Sequence, residues 1–236
     1  MTTWTLVIPV KALAAAKSRL APAVTPPVRL ALARAFALDT IETSNAARSV
    51  DRIVVVTGEV DLDAHLPHGV DVLHESPGAG LGSAVELGVA AARSDGDVAV
   101  AVLLGDLPAL HTDGLESALH AAARHPLAFV PDADGTGTTL VTAQVGESFT
   151  PAFGDRSAAR HAAAGFTDLV EAEPDSMTSG VRRDVDTVEA LEDALLAGVG
   201  PHTAEVVAAL ADGALPHAPA GEARRTITDP HGKGTS

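Results

Sequence analysis

Two short segments of this chain carry aspartates in positions suited to holding a cation. Leu104-Gly105-Asp106-Leu107-Pro108 follows the apolar run 97–104. An aspartate at the end of a buried strand is costly unless its charge is paired or bound to a metal. Gly105 is expected to let the backbone turn there, and Pro108 to stiffen the exit. Asp106 as the cap of a helix over 112–124 is the plainer alternative, but Thr112 is better placed for that role. The second segment is Arg182-Arg183-Asp184-Val185-Asp186-Thr187. Alternate residues of an extended segment share a face, so Asp184 and Asp186 point the same way. Like charges side by side repel unless a cation lies between them. Magnesium takes oxygen ligands, commonly a few carboxylates together with substrate phosphates. The competing reading is that Asp186 or Thr187 caps a helix over 187–197, with Glu189 in its first turn. A D-x-D pair alone is a weak pattern; together with Asp106 it predicts a magnesium site of three carboxylates.

Cations and glycine-rich turns supply places for anions. Lys11, Lys17 and Arg19 fall within nine residues, directly after the first apolar run of a very acidic chain. A solvated loop explains most such clusters, but this position is where a triphosphate could be held. The segment is not a P-loop, because the glycines are missing. Gly135-Thr136-Gly137-Thr138-Thr139 and Phe153-Gly154-Asp155-Arg156-Ser157 are turns whose backbone N–H groups could meet an anion, with Ser157 at an expected helix N-terminus. Either one alone reads as an ordinary tight turn. Glu75-Ser76-Pro77-Gly78-Ala79-Gly80-Leu81-Gly82-Ser83-Ala84 reads as a loop running into a helix, able to cradle a base through backbone groups. The ten histidines are scattered, show no i, i+4 metal pair, and receive no role.

These residues need elements to position them. Thr5–Val10, Arg52–Thr57, Val70–Leu73 and 97–104 are apolar, β-branched runs. Their continuous rather than alternating pattern predicts a sheet buried on both faces. Helical periodicity over 26–47 and 83–93 separates them, which argues for right-handed βαβ units and a mostly parallel sheet. Further strands are expected at 127–131, 138–143 and 168–170. Helices are expected from Ser157, over 187–197 and over 202–211. The expected fold is α/β, with a single domain over 1–213 and a mobile tail over 214–236. Ligands in such open sheets gather at the carboxyl ends of the strands, where the Lys11–Arg19 and Leu104–Pro108 segments are expected.

Composition closes off other functions. The chain has 236 residues, 46% of them hydrophobic, with 16 Lys plus Arg against 31 Asp plus Glu, a formal charge of −15. Binding to nucleic acid or to an anionic membrane is therefore not expected. Aromatics are 3%, too few for a base-stacking platform. With no cysteine there are no disulfides, thiolate metal sites or cysteine nucleophiles. No apolar run is long enough to span a bilayer. The N-terminus lacks a basic stretch before its apolar run, so no signal peptide is expected and a cytoplasmic location is.

Taken in order, five motifs resemble the CofC-type guanylyltransferases of deazaflavin coenzyme F-420 biosynthesis. They are I-P-V-K-x-L-x-x-A-K-S-R-L-A-P (Ile8 to Pro22), L-x-G-D-L-P-A-L (Leu103 to Leu110), D-x-x-G-T-G-T-T (Asp132 to Thr139), F-G-x-x-S-A-x-x-H (Phe153 to His161) and D-V-D-T (Asp184 to Thr187). The resemblance runs from Val7 to about Leu210. It implies a Rossmann-like sheet with a small β extension, as in molybdenum-cofactor nucleotidyltransferases. It implies attack by the phosphate of a three-carbon phospho-acid on the α-phosphorus of GTP, with release of pyrophosphate. Asp106, Asp184 and Asp186 match the magnesium aspartates; Thr138, Gly154 and Ser157 match the contacts to the acid. Lys17 and Arg19, with Asp106, match the catalytic groups around the triphosphate, while Lys11, Lys17, Gly80, Leu81, Ser83 and Gly105 fall in the nucleotide-binding segments. Many relatives read G-L-N-x-A where this chain reads Gly80-Leu81-Gly82-Ser83-Ala84, so Ser83 or backbone groups must replace the amide in selecting guanine. Within the family the acid is phosphoenolpyruvate, 2-phospho-L-lactate or 3-phosphoglycerate; the Ala-, Arg- and Asp-rich, Lys-poor style of a high-GC genome favours phosphoenolpyruvate. A downstream transferase that takes over the labile product is an implied transient partner.

Two other readings compete. A molybdopterin or sugar-phosphate nucleotidyltransferase would keep the fold, but the L-x-G-G-x-S-x-R-x-G-type loop usual in those families is missing after the first strand. A catalytically silent nucleotide-binding regulator would be expected to lose metal carboxylates, and all three are present.

Overall fold

A computed structural model of the chain describes residues 2–10, 20, 24–76, 78–94 and 96–213. Lys11, Lys17, Arg19 and the tail over 214–236 lie outside the described residues.

The first half alternates strand and helix: β1 (Trp4–Val10), α1 (Pro26–Asn45), β2 (Val50–Thr57), β3 (Val70–His74), α2 (Gly80–Ala92), β4 (Val100–Leu103) and α3 (Thr112–Ala122). The second half adds β5 (Leu127–Pro131), β6 (Thr138–Ala143), α4 (Ser157–Ala163), β7 (Thr167–Asp168), α5 (Leu169–Ala172), α6 (Ser179–Arg182), α7 (Val188–Ala197) and α8 (Pro201–Ala211). Among the described residues the seven strands form one sheet, in the order β3-β2-β1-β4-β6-β5-β7. β1 runs parallel to β2 and β4, with Leu6 opposite Ile53 and Ala101. β6 enters antiparallel between β4 and β5, Val141 lying opposite Val102 and Phe129. The expected β extension thus continues the same sheet.

Every residue of β1 is buried, as its unbroken apolar run requires. Leu6, Ile8 and Val10 face a core shared with Ala37, Ile41, Leu115 and Leu119 of α1 and α3. Val7, Val54 and Val102 face the opposite layer, where Ala84 and Val85 of α2 cover them. α8 packs on α1, and the buried Asp39 carboxylate accepts hydrogen bonds from the His202 and Thr203 backbone N–H groups, each at 2.9 Å. Those N–H groups belong to the first turn of α8 and have no partner within the helix.

Three local expectations change. β7 ends at Asp168, whose side chain accepts from the Val170 N–H at 2.8 Å and starts α5, so the expected strand over 168–170 is cut short. α2 begins at Gly80 rather than 83, so Gly80, Leu81 and Ser83 form its first turn instead of a loop. Thr112 does not cap α3; His111 holds the cap position, with no side-chain bond.

Candidate active site

β4 ends three residues before Asp106, and the turn that follows is held from several sides. The Thr40 hydroxyl in α1 accepts from the Leu107 N–H at 3.1 Å and donates to the Phe36 carbonyl at 2.8 Å. The Pro108 carbonyl accepts from the Gly200 N–H at 2.9 Å. Gly105 has no positive φ. A Cβ there would sit 3.2 Å from Val10 and 3.3 Å from Ile8. The glycine is needed for close approach to β1, not for the backbone turn expected of it.

The segment bearing the other two aspartates crosses the ends of β4, β5 and β6. The Val181 carbonyl accepts from the Thr139 hydroxyl at 2.7 Å. The Arg182 guanidinium donates to the Pro131 and Asp132 carbonyls at 3.2 and 2.8 Å. The Val185 N–H donates to the Asp106 carbonyl at 3.1 Å, so the D-V-D stretch lies directly against the Asp106 turn. As a result, carboxylate oxygens of Asp106, Asp184 and Asp186 lie within 4.8 Å of one another, and all three residues are partly accessible. Thr187 caps α7, its hydroxyl accepting from the Ala190 N–H at 3.2 Å. The helix therefore does not call on Asp186 as its cap. Three hard oxygen donors at this spacing can hold a divalent cation.

β6, whose Thr139 anchors the D-V-D segment through Val181, begins with Thr138, and α4 begins with Ser157; both residues are buried. Gly154 has a φ of +110° and its carbonyl accepts from the Ser157 N–H at 3.1 Å. The Ala158 N–H donates to the Thr136 carbonyl at 3.2 Å, bringing the two glycine-bearing turns together. One expectation fails here. The N–H groups of Thr136 and Gly137 already donate to the Asp132 carboxylate, at 2.9 and 2.7 Å, so they do not serve as an open anion cradle. Glu75, at the carboxyl end of β3, has its carboxyl pKa raised by burial.

Residues 4–224 match the family described as "Guanylyl transferase CofC like". The chain belongs to this family. The resemblance read from the five motifs is thus borne out over almost the whole sequence. The phosphoenolpyruvate guanylyltransferase of Sanguibacter keddieii is 43% identical, the match covering 87% of this chain and 84% of the relative. The phosphoenolpyruvate guanylyltransferase of Streptomyces coelicolor is 46% identical, with 88% and 97% covered. Among solved structures, one described as a nucleotide-diphospho-sugar transferase from Desulfovibrio desulfuricans has a TM-score of 0.58 at 18% identity, covering 89% of this chain and 96% of that one. Rv0371c from Mycobacterium tuberculosis, solved with manganese, has a TM-score of 0.53 at 18% identity, covering 83% and 99%. Likeness at such identity speaks for the CofC chain's nucleotidyltransferase-like fold alone. Among the described residues, no single helix is long and apolar enough to cross a membrane.

Sequence reasoning assigned nothing to His161, and the fold gives it a central place. Its ring is fully buried and lies 5.7, 5.6 and 5.3 Å, between centroids, from Phe129, Phe153 and Phe166. Nδ1 lies 3.0 Å from the Thr138 hydroxyl, and Nε2 lies 2.8 Å from the Ala152 backbone nitrogen. Burial, with the nearby Arg160 charge adding to it, pushes the His161 pKa down to about 4 against a weaker upward pull from its backbone bond with Ser157. The one available signal was its place in F-G-x-x-S-A-x-x-H, four residues after Ser157. Ser157 and Gly165, four residues to either side, give it no metal-ligand spacing.

Proposed function

We propose that the chain joins GMP from GTP to phosphoenolpyruvate. A phosphate oxygen of the acid attacks the α-phosphorus of GTP; that P–O bond forms as the bond to the bridging oxygen of the β-phosphate breaks, and pyrophosphate leaves. Supporting this most directly is the carboxylate trio Asp106, Asp184 and Asp186 at the strand ends, in a chain of the guanylyl transferase family 43% and 46% identical to named phosphoenolpyruvate guanylyltransferases.

The donor set suits Mg²⁺: all oxygen, all carboxylate, with room left for phosphate ligands. When bound, the cation supplies charge neutralisation between two anionic substrates and toward the leaving pyrophosphate. The chain's own residues do the remainder by positioning. The attacking phosphate is already an anion, so no strong general base is needed. Lys17, Arg19 and Lys11 are proposed to meet the triphosphate. Gly80, Leu81, Ser83 and Gly105 are proposed to line the nucleotide, and Thr138, Gly154 and Ser157 the acid. Residues 1–213 are proposed to form one nucleotidyltransferase domain. The product, in the coenzyme F-420 route and in the cytoplasm, would pass to a downstream transferase.

Incubation with GTP, Mg²⁺ and phosphoenolpyruvate, 2-phospho-L-lactate or 3-phosphoglycerate, followed by pyrophosphate measurement, tests the reading. Release with phosphoenolpyruvate well above the other two is expected. No release with any of the three overturns the reaction, and a clear preference for another acid overturns the substrate.

A further inference from the structure

The buried His161 connects all three segments assigned to the acid, and its hydrogen bonds leave a single protonation pattern. The Ala152 N–H can only donate, so Nε2, 2.8 Å away, must present a lone pair. A neutral ring then carries its hydrogen on Nδ1. The partners on that side are the Thr138 hydroxyl oxygen, at 3.0 Å, and the Ser157 backbone. Had Thr138 donated instead, both ring nitrogens would hold lone pairs and the ring would be an imidazolate. Thr138 therefore accepts, and its own hydroxyl hydrogen turns away from the ring. Among the described residues, Thr138 Oγ1 has no other side-chain partner.

We propose that His161 is the positioning residue of the phospho-acid pocket: as the Nδ1–H tautomer it fixes the Thr138 hydroxyl as a donor toward the acid and ties the Ala152–Ser157 turn, with Gly154, to β6. This rests on the assignment of the acid to Thr138, Gly154 and Ser157. It gives the ring a role without contact to substrate. The three phenylalanines around it keep out water that would otherwise compete for both nitrogens. A doubly protonated ring would lose the bond from Ala152, so the same aromatic walls favour the neutral form the pocket needs.

The test compares His161→Asn, whose amide reaches the position of Nδ1, with His161→Gln, whose amide reaches the position of Nε2, and with Thr138→Val and the Thr138→Val/His161→Gln double variant. KM values for phosphoenolpyruvate and GTP are measured alongside melting temperatures. His161→Gln is expected to raise the KM for phosphoenolpyruvate about tenfold or more while leaving that for GTP near wild type, the range for losing a fixed donor to a charged group. His161→Asn should recover most of that loss, and the double variant should be no worse than Thr138→Val. Additive effects, or equal rises in both KM values, overturn the proposal in favour of a purely structural ring. If wild type releases no pyrophosphate, the proposed reaction fails separately, and the tautomer still decides the role: long-range ¹⁵N–¹H spectra of the folded chain should show hydrogen on Nδ1 of His161, and hydrogen on Nε2 overturns it.

Discussion

Alanine at position 180 probes how the three carboxylates are held together. Gly180 lies in α6, four residues before Asp184, and its backbone is not left-handed, so alanine is allowed there by conformation. Space is the obstacle. A Cβ on Gly180 would stand 2.2 Å from the Ala109 carbonyl oxygen and 3.0 Å from its carbon. Cβ atoms essentially never come closer than 3.0 Å to such an atom, so α6 and the Asp106 turn must part by about 0.8 Å. That movement acts on the bonds carrying the D-V-D segment, from Thr139 to the Val181 carbonyl and from Val185 to the Asp106 carbonyl. Overpacking of this kind costs about 1–3 kcal/mol. A misplacement near 1 Å in a positioned site lowers turnover on the order of 10²-fold. Urea unfolding gives the first quantity. Pyrophosphate release across a magnesium titration gives the second, with a higher half-saturating concentration of the metal expected. Gly82→Ala is the stability control, since a Cβ there meets nothing within 4 Å and the residue is helical; it should gain about 0.5–1 kcal/mol. A Gly180→Ala chain with wild-type turnover and magnesium dependence would refute the reasoning, because the close approach at Ala109 would then not set the carboxylate geometry.

Other outcomes follow from the same structure. Asp106→Asn should abolish turnover while the chain stays folded; near-normal rates at low magnesium would remove the metal role. Thr187→Ala should lose about 1 kcal/mol of stability through its cap yet keep turnover, whereas Asp186→Asn should do the reverse, and urea curves beside rate measurements separate the two. His161 predicts a pH dependence of stability. Its folded pKa, about 4, lies below the ordinary 6.5, so its contribution is complete above pH 6.5 and falls away as the pH drops toward 4. Over that window the loss is on the order of 3 kcal/mol, and it should be missing from the same pH series on His161→Gln. Identical slopes in both proteins would rule it out.

Much of the framework was legible in the residues. The unbroken Leu6-Val7-Ile8 and Val54-Val55-Val56 runs have no polar alternation, which only a sheet covered on both sides tolerates, and the layers of α1, α3 and α2 cover them. Asp184 and Asp186 sharing a face follows from the two-residue repeat of extended backbone, and five motifs in order sufficed for the family. These are local properties, carried by spacing along the chain. What sequence could not reach depends on contacts between distant segments. The insertion of β6 antiparallel between β4 and β5 rests on pairing choices that no single strand encodes. The N–H groups of the Gly135–Gly137 turn looked open to an anion because nothing in their spacing announced that the Asp132 carboxylate folds back onto them. Nothing in the spacing marked Gly180; its tight packing exists only because the fold brings the Ala109 carbonyl against it. His161 was one of ten scattered histidines. Only the meeting of β6, α4 and the Ala152 turn inside a phenylalanine shell gave its two nitrogens different partners, and burial there, where water cannot compete, is what turns those hydrogen bonds into a fixed orientation.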